Sequence, residues 1–306
     1  MTTEIRDRGL TRQGFLHAAL AVPAALATGA ASAGDSPLRR PIPSSGESLP
    51  AIGLGTWRGF DVGSGAAERA PLAGVVRTLF EGGGRVIDSS PMYGRAEAVT
   101  GDLLAETGSR DRAFLATKVW TRGREAGLTQ MRESLRHFRT DRLDLIQVHN
   151  LLDWRTHLPV LREWKQEGRI RYLGISHYTE SAYDEVEAVL RAERLDVLQI
   201  NYALDDRAAE ARLLPLAAER GVAVLVNRPF GGGGLLGRLR NRPLPDYAAA
   251  LGCASWAEIL LKFVLSHPAV TCAIPGTADP AHMAANLRAA TGPLPDADLR
   301  RRMTAG

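Results

Sequence analysis

The chain has 306 residues, 45% hydrophobic and 24% charged, a length that fits two ordinary domains or one α/β barrel of about 250 residues. The formal net charge of +4 comes from 38 basic and 34 acidic residues, spread along the chain without a run of like charge, which argues against a nucleic-acid partner. The two cysteines, Cys253 and Cys272, match no metal-ligand spacing and predict reduced structural thiols rather than a metal site.

Residues 1–33 have the pattern of an export signal. Three arginines among residues 6–12 precede an apolar, alanine-rich stretch over 15–31 that ends in small residues. The stretch falls short of about 20 strongly apolar residues, so we expect no membrane span in the mature chain. The segment resembles a twin-arginine signal, except that Gln13 follows Arg12 where a second arginine is usual. We therefore expect a periplasmic protein; if the export pathway does not accept this sequence, the protein stays in the cytoplasm.

Residues 34–50 are rich in Pro, Ser and Gly and predict a linker that leads into a first hairpin around Ile42 and Leu49. The remaining residues, 51–306, form the main folded region in this interpretation.

Short apolar runs alternate with helical patterns after residue 50. The eight runs are 52–56, 85–88, 113–118, 143–148, 172–175, 197–200, 222–226 and 270–274. Between them lie amphipathic segments such as 129–138, in which Met131, Leu135 and Phe138 recur at helical spacing. Eight βα units predict a single-domain (β/α)8 TIM barrel. A doubly wound open sheet is the alternative, but its Gly-x-Gly-x-x-Gly fingerprint is missing between an early strand and its helix.

Four residues with complementary chemistry lie at the ends of consecutive runs, where a barrel places its catalytic groups. Asp88, Lys118 and His149 close or follow the second, third and fourth runs, and Tyr93 lies in the loop after Asp88. A phenol with a pKa of about 10 is a poor acid unless a cation stabilises its phenolate, and a lysine held by a carboxylate supplies that cation. A histidine beside them can orient a carbonyl oxygen while hydride arrives at carbon. This pattern predicts carbonyl reduction with Tyr93 as the general acid.

Residues 42–290 resemble the aldo/keto reductase family in four segments that occur in the family's order. The segments are RVIDSSPMYG at 85–94 with Glu97, TKVW at 117–120, LDLIQVH at 143–149 and GRIRYLGIS at 168–176. The resemblance implies that Asp88, Tyr93, Lys118 and His149 have the family's catalytic roles. It also implies a monomer that reduces a small aldehyde or ketone with NADPH, with NADH as the alternative, bound without a Rossmann domain.

The same resemblance assigns the cofactor contacts. Ser176 and Gln199 match positions that hydrogen-bond the nicotinamide carboxamide; His177 replaces the usual asparagine after that serine and can still donate one hydrogen bond. Asn227 stands where an aromatic residue commonly stacks on the nicotinamide, so that stacking is lost. The complete predicted set is Ser176, His177, Gln199, Asn227, Arg228, Gly232, Gly276, Thr277, His282 and Asn286.

Two segments of that set are expected to bind the cofactor's phosphates. The glycine run 231–234 offers backbone amides to the pyrophosphate, with Arg228 as a charged contact; a merely flexible loop is the alternative. Residues 274–286 resemble the adenosine-phosphate segment, where a lysine and an arginine often hold the 2′-phosphate. Gly276 and His282 occupy those two positions, which leaves Thr277 and the amides of the next helix to bind phosphate.

Trp57, Trp120 and Trp154 follow the first, third and fourth strands and predict the walls of an apolar substrate pocket, with packing at the rim as the alternative.

Two other functions stay open at this point. One is a nucleotide-binding regulatory subunit or redox sensor on the same barrel, and the other is a lyase or isomerase that uses Tyr93 and Lys118 as acid and base.

Overall fold

The computed structural model describes residues 36–305, so the export signal predicted for residues 1–33 lies outside the described residues. The strands are β1 (Arg39–Pro41), β2 (Ser48–Pro50), β3 (Leu54–Gly55), β4 (Val86–Asp88), β5 (Phe114–Val119), β6 (Leu143–His149), β7 (Ile170–Ser176), β8 (Val197–Asn201), β9 (Ala223–Asn227) and β10 (Val270–Ala273). The helices are α1 (Ala66–Glu81), α2 (Ala96–Glu106), α3 (Arg124–His137), α4 (Trp154–Gln166), α5 (Tyr183–Ala192), α6 (Leu213–Glu219), α7 (Gly234–Leu239), α8 (Trp256–Leu265), α9 (Pro280–Arg288) and α10 (Ala297–Ala305).

The strands β3 to β10 form one parallel sheet in chain order, and at least one helix follows each of them. Backbone pairing of Ile52 with Ala273, and of Gly55 with Gly276, joins the first strand to the last. The sheet is therefore closed, and the predicted single-domain (β/α)8 barrel is confirmed. Each of the eight apolar runs in the sequence supplies one of its strands.

The hairpin of β1 and β2 closes the amino-terminal end of the barrel. Its buried side chains Ile42 and Leu49 belong to one apolar cluster with Phe114 and Val197 from the first residues of β5 and β8. Arg40 donates hydrogen bonds to the backbone carbonyls of Leu265, His267 and Val270 beside it. Because this end is filled, the carboxyl ends of the strands form the open mouth.

The outer helices turn apolar faces to the barrel. On α3, Met131 is fully buried, as its helical spacing predicts, and Phe138 is buried just beyond the end of the helix. Helix α8 is buried along almost its whole length and packs beside β10. Cys253 and Cys272 are free and buried, as predicted, and burial raises the pKa of Cys253 to about 11.

Residues 36–305 contain neither a helix that could span a membrane nor a metal-binding cluster of side chains. No helix in this range is long and apolar enough to span a membrane. No group of three or more His, Cys, Asp and Glu side chains in the same range is arranged to hold a metal ion.

Gly174 lies where β7 and β8 leave no room for a side chain. A Cβ atom at this position of β7 would lie 2.3 Å from the carbonyl oxygen of Val197 on β8. We expect Gly174→Ala to lower the free energy of unfolding by about 1–3 kcal/mol, because the strands cannot separate without losing their hydrogen bonds. Urea unfolding of the full chain measures this change.

Gly237→Ala is the matched control. An added Cβ at Gly237 in α7 would meet no atom within 4 Å, and alanine favours the helix by roughly 1 kcal/mol or less. Unfolding midpoints that fall equally in both variants, or in neither, would contradict the packing described for β7 and β8.

Candidate active site

The four predicted catalytic side chains converge at the carboxyl ends of β4, β5 and β6. Asp88 and His149 are the last residues of their strands, Lys118 is the penultimate residue of β5, and Tyr93 lies in the loop between β4 and α2. Lys118 is fully buried, whereas Asp88 and His149 keep 3% and 6% of their surface exposed. A (β/α)8 barrel brings these strand ends to one mouth.

Lys118 and Asp88 form a buried ion pair at the base of the site. The Lys118 Nζ donates to Asp88 Oδ2 at 2.6 Å and to the backbone carbonyl of Ser89 at 2.8 Å. Burial lowers the pKa of Lys118, but the charges of Asp88, Tyr93 and Glu97 and the hydrogen bond to Asp88 together outweigh burial, and the pKa ends above its ordinary value. Lys118 is therefore a permanent cation at neutral pH.

Gln147 is a member of this group that the sequence interpretation did not single out. Its Nε2 donates to Asp88 Oδ1 at 3.2 Å, so both carboxylate oxygens are bonded. The β5–β6 register sets Gln147 directly beside Lys118. The signal was present in the sequence: Gln147 lies two residues before His149 on one strand, and side chains at that spacing share a face.

Tyr93 lies next to the cation. The Nζ atom of Lys118 is 5.4 Å from the centre of the Tyr93 ring. Burial raises the pKa of Tyr93, the charge of Lys118 opposes that effect, and the pKa ends above its ordinary value. The direction of the Lys118 effect is the one expected from the sequence, but burial exceeds it, so the phenol keeps its proton at neutral pH.

His149 is held uncharged. Burial, followed by the charges of Lys118 and His177, lowers its pKa to about 2. Its Nδ1 lies 3.1 Å from the Oγ of Ser90, and its ring is nearly perpendicular to that of Tyr93, with ring centres 6.0 Å apart. A neutral imidazole carries one N–H, so this side chain can donate a single hydrogen bond.

Ser176 and Gln199 continue the site onto the next two strands. Their register follows that of His149: His149 pairs with Ser176 across β6 and β7, and Ser176 pairs with Gln199 across β7 and β8. Ser176 Oγ and Gln199 Nε2 are buried and have no hydrogen-bond partner among the described residues. Buried polar groups normally have partners, and this hydroxyl and amide suit the oxygen and NH2 of a carboxamide. The two residues therefore fit the predicted nicotinamide contact.

His177 and Asn227 form a second group beside them. Asn227 Nδ2 donates to the backbone carbonyl of His177 at 3.1 Å, and Asn227 Oδ1 has no partner among the described residues. The His177 Nδ1 accepts from the amide of Thr179 at 3.3 Å, and its ring stacks on that of Tyr178, with centres 5.8 Å apart. The His177 Nε2 makes no hydrogen bond within residues 36–305.

Arg228 and the glycine run form the next part of the rim. Arg228 adopts a left-handed backbone with φ of 51°, and its guanidinium lies 5.6 Å from the centre of the Tyr178 ring. Gly232 has φ of 70°, and a Cβ there would lie 2.7 Å from Nη2 of Arg228. Its left-handed backbone angle favours glycine at this position.

In the segment predicted to bind the adenosine phosphate, an aspartate lies at the start of the helix. Asp279, which the sequence interpretation did not single out, caps α9 by accepting from the amide of Ala281 at 2.7 Å. Thr277 Oγ1 accepts from the amide of Asp279 at 3.0 Å. His282 is exposed and lies 3.9 Å from the Asp279 carboxylate, while Asn286 is buried on the same helix. A carboxylate thus occupies the helix start where phosphate contacts were expected.

The three tryptophans predicted to line the pocket differ in their surroundings. Trp120 is 40% exposed, with its ring centre 6.4 Å from that of His149. Trp57 is 50% exposed and carries the Arg58 guanidinium over its ring at 4.2 Å. Trp154 packs partly against the core and donates from Nε1 to Glu185 at 3.2 Å. Of these three tryptophans, only Trp120 has its ring beside a predicted catalytic ring.

The low pKa of His149 predicts a specific acid sensitivity. Below pH 6.5 the unfolded chain binds a proton at this histidine and the folded chain does not, so stability is fully present above that pH and decreases as the pH falls. Between pH 7 and pH 5, His149 should cost the folded state about 2 kcal/mol. Denaturant unfolding of the wild type and His149→Gln at both pH values isolates this contribution. An equal loss of stability in the two proteins would show that His149 titrates normally.

Comparison with known proteins adds the family. Residues 51–303 match the family model described as the aldo/keto reductase family. The methylglyoxal reductase YeaE of Escherichia coli is 32% identical over 260 residues, which cover 82% of this chain and 89% of that protein. The NADH-specific methylglyoxal reductase of the same organism is 27% identical over 258 residues, or 73% of this chain and 77% of that protein.

A solved structure supports the same relationship. An aldo-keto reductase from Klebsiella pneumoniae in complex with NADPH is 30% identical, covers 85% of this chain and 93% of its own, and superposes with a TM-score of 0.71. The family match begins at residue 51, so it gives no support to the export signal, which stays a prediction. The match covers most of the chain and includes every residue of the buried site, and the chain therefore belongs to the aldo/keto reductase family.

Proposed function

We propose that the protein reduces small aldehydes or ketones, with 2-oxoaldehydes such as methylglyoxal as the substrate class, to the corresponding alcohols. The observation that carries the proposal is the buried Asp88–Lys118 pair beside a protonated Tyr93, with neutral His149 facing the same mouth. Family membership and the similarity to methylglyoxal reductases support carbonyl reduction as the reaction.

Each side chain of the site has one task in this mechanism. The carbonyl oxygen accepts hydrogen bonds from Tyr93 and His149, which polarises the C=O bond and orients it. When bound, the reduced nicotinamide dinucleotide supplies the hydride to the carbonyl carbon. The C=O electron pair moves to oxygen, and Tyr93 donates its proton there. Lys118 then stabilises the phenolate by its charge, and Asp88 keeps Lys118 in position.

The cofactor is NADPH, with NADH as the alternative. The Klebsiella relative binds NADPH, whereas one Escherichia coli relative is NADH-specific. The unpartnered Ser176 and Gln199 atoms suit a nicotinamide of either dinucleotide. The exposed His282 would bind a 2′-phosphate more weakly than a lysine and an arginine would, and the Asp279 carboxylate at the start of α9 would repel it.

The substrate pocket we propose is small and mostly apolar. Trp57, Trp120 and Met92 are among the most exposed large apolar side chains of the described chain, at 50%, 40% and 40%. Trp120 and Met92 belong to the loops that follow β5 and β4, next to His149 and Tyr93. Such walls suit a short carbonyl compound, which the two hydrogen-bond donors would hold by its oxygen.

Tyr93→Phe is expected to lower kcat for methylglyoxal reduction by roughly a factor of a hundred or more, because it removes the proton donor. Binding of NADPH and NADH, followed by quenching of tryptophan fluorescence, should stay as in the wild type. Absorbance of the reduced nicotinamide measures turnover. Tyr247→Phe, at a partly buried tyrosine in the turn before α8, serves as the matched control.

Other outcomes distinguish the alternatives. Tight binding without turnover in the wild type would indicate a regulatory subunit or redox sensor instead of a reductase. A wild type that binds neither dinucleotide would contradict the cofactor assignment and favour a lyase or isomerase. Full activity in Tyr93→Phe would remove Tyr93 from the role of general acid.

A further inference from the structure

Ser90 lies between the two groups that would hold the carbonyl oxygen. It is fully buried in the loop that follows β4. Its Oγ lies 3.1 Å from the Nδ1 of His149, and its backbone carbonyl accepts from the amide of Tyr93 at 3.0 Å. One residue therefore contacts both the imidazole and the turn that carries the phenol.

The direction of the Ser90–His149 hydrogen bond follows from the other contacts of the hydroxyl. The backbone amide of Met92 points at Ser90 Oγ from 3.4 Å, and an amide can only donate. The hydroxyl oxygen accepts there, and Nδ1 of His149 is the only acceptor among the described residues within hydrogen-bond distance of the hydroxyl, so its buried hydrogen has a partner only if it is donated to Nδ1. The imidazole Nδ1 then accepts, and the single ring proton of the neutral imidazole lies on Nε2.

The opposite ring nitrogen faces the mouth. Within residues 36–305, Nε2 of His149 has no hydrogen-bond partner. It is nevertheless not fully buried. An atom in this situation is accessible from the pocket. With Nε2 protonated, a donor is presented to the substrate; with Nδ1 protonated, a lone pair would face the carbonyl oxygen and repel it.

We propose that Ser90 is a positioning residue, which fixes His149 in the Nε2-protonated tautomer and holds its ring where Nε2–H meets the carbonyl oxygen beside Tyr93. This inference rests on the carbonyl reduction proposed above. No covalent bond to Ser90 or His149 forms or breaks: the proton that neutralises the alkoxide comes from Tyr93, and Ser90 acts only through the imidazole.

The direct test is nitrogen NMR of the full-length protein labelled at its histidine ring nitrogens. The His149 signals are assigned by their loss in His149→Gln. We expect Nδ1 to resonate as an unprotonated, hydrogen-bonded nitrogen and Nε2 as a protonated one at neutral pH. In Ser90→Ala the Nδ1 signal should shift or broaden, because its donor is gone. A protonated Nδ1 in the wild type would overturn the proposal, whatever Ser90→Ala does.

Kinetics give the second readout. Ser90→Ala should lower kcat for methylglyoxal by roughly tenfold, the effect of leaving one buried acceptor without its donor, while the dissociation constant for NADPH stays unchanged. Ser109→Ala removes another buried serine hydroxyl, in the turn before β5 at the opposite end of the barrel, and is the matched control. A kcat of Ser90→Ala within twofold of this control would also contradict the proposal.

The two proposals fail in different ways. If the wild type reduces no carbonyl compound but His149 shows a protonated Nε2 that depends on Ser90, then the proposed function is wrong and the structural role of Ser90 stands. If the wild type is an active reductase and Nδ1 is protonated, only the role of Ser90 is wrong.

Discussion

The site depends on the hydrogen-bonded ion pair between Lys118 and Asp88, both of them buried. Removing a charge from water costs several kcal/mol, and the pair is tolerated because its partners bond each other and further neighbours. Lys118 also donates to the backbone of Ser89, and Gln147 covers the second oxygen of Asp88. These bonds tie β4, β5 and β6 together at their carboxyl ends. The hydrogen bond from Lys118 to the backbone of Ser89 also fixes the start of the loop that carries Ser90 and Tyr93. The hydrogen bonds that a buried lysine requires therefore help to position the phenol.

The barrel makes that arrangement possible by filling one end and leaving the other open. At the filled end, Glu47 of the hairpin forms ion pairs with Arg85, just before β4, and with Arg171 of β7, and Tyr172 donates to the same carboxylate at 2.6 Å. These contacts stabilise the scaffold at the face where (β/α)8 barrels carry no chemistry. At the open end the side chains are buried enough to shift their pKa values. The pKa of Tyr93 rises and that of His149 falls, so both are neutral donors next to one cation.

Sequence patterns predicted the barrel and the four converging residues because strand ends can be recognised locally and the barrel topology then brings them together. They did not reveal which hydrogen bonds would form. The Gln147–Asp88 and Ser90–His149 contacts each join residues 59 positions apart, and their existence depends on register and rotamer. The degree of burial cannot be read from a sequence either. For that reason the sequence did not show that burial raises the pKa of Tyr93 by more than the charge of Lys118 lowers it. Asp279 was within reach of prediction, because an aspartate followed by proline is a common helix start.

The charge of Lys118, held in place by Asp88, lowers the pKa of Tyr93 against the larger effect of burial. Ultraviolet difference titration measures this pKa directly, with the Tyr93 signal identified by its loss in Tyr93→Phe. We expect opposite shifts in two variants: Lys118→Met should raise the pKa of Tyr93, because burial and Asp88 then act unopposed, and Asp88→Asn should lower it. A Tyr93 pKa that stays the same in both variants, or that moves in the same direction, would show that Lys118 does not act on Tyr93 through its charge.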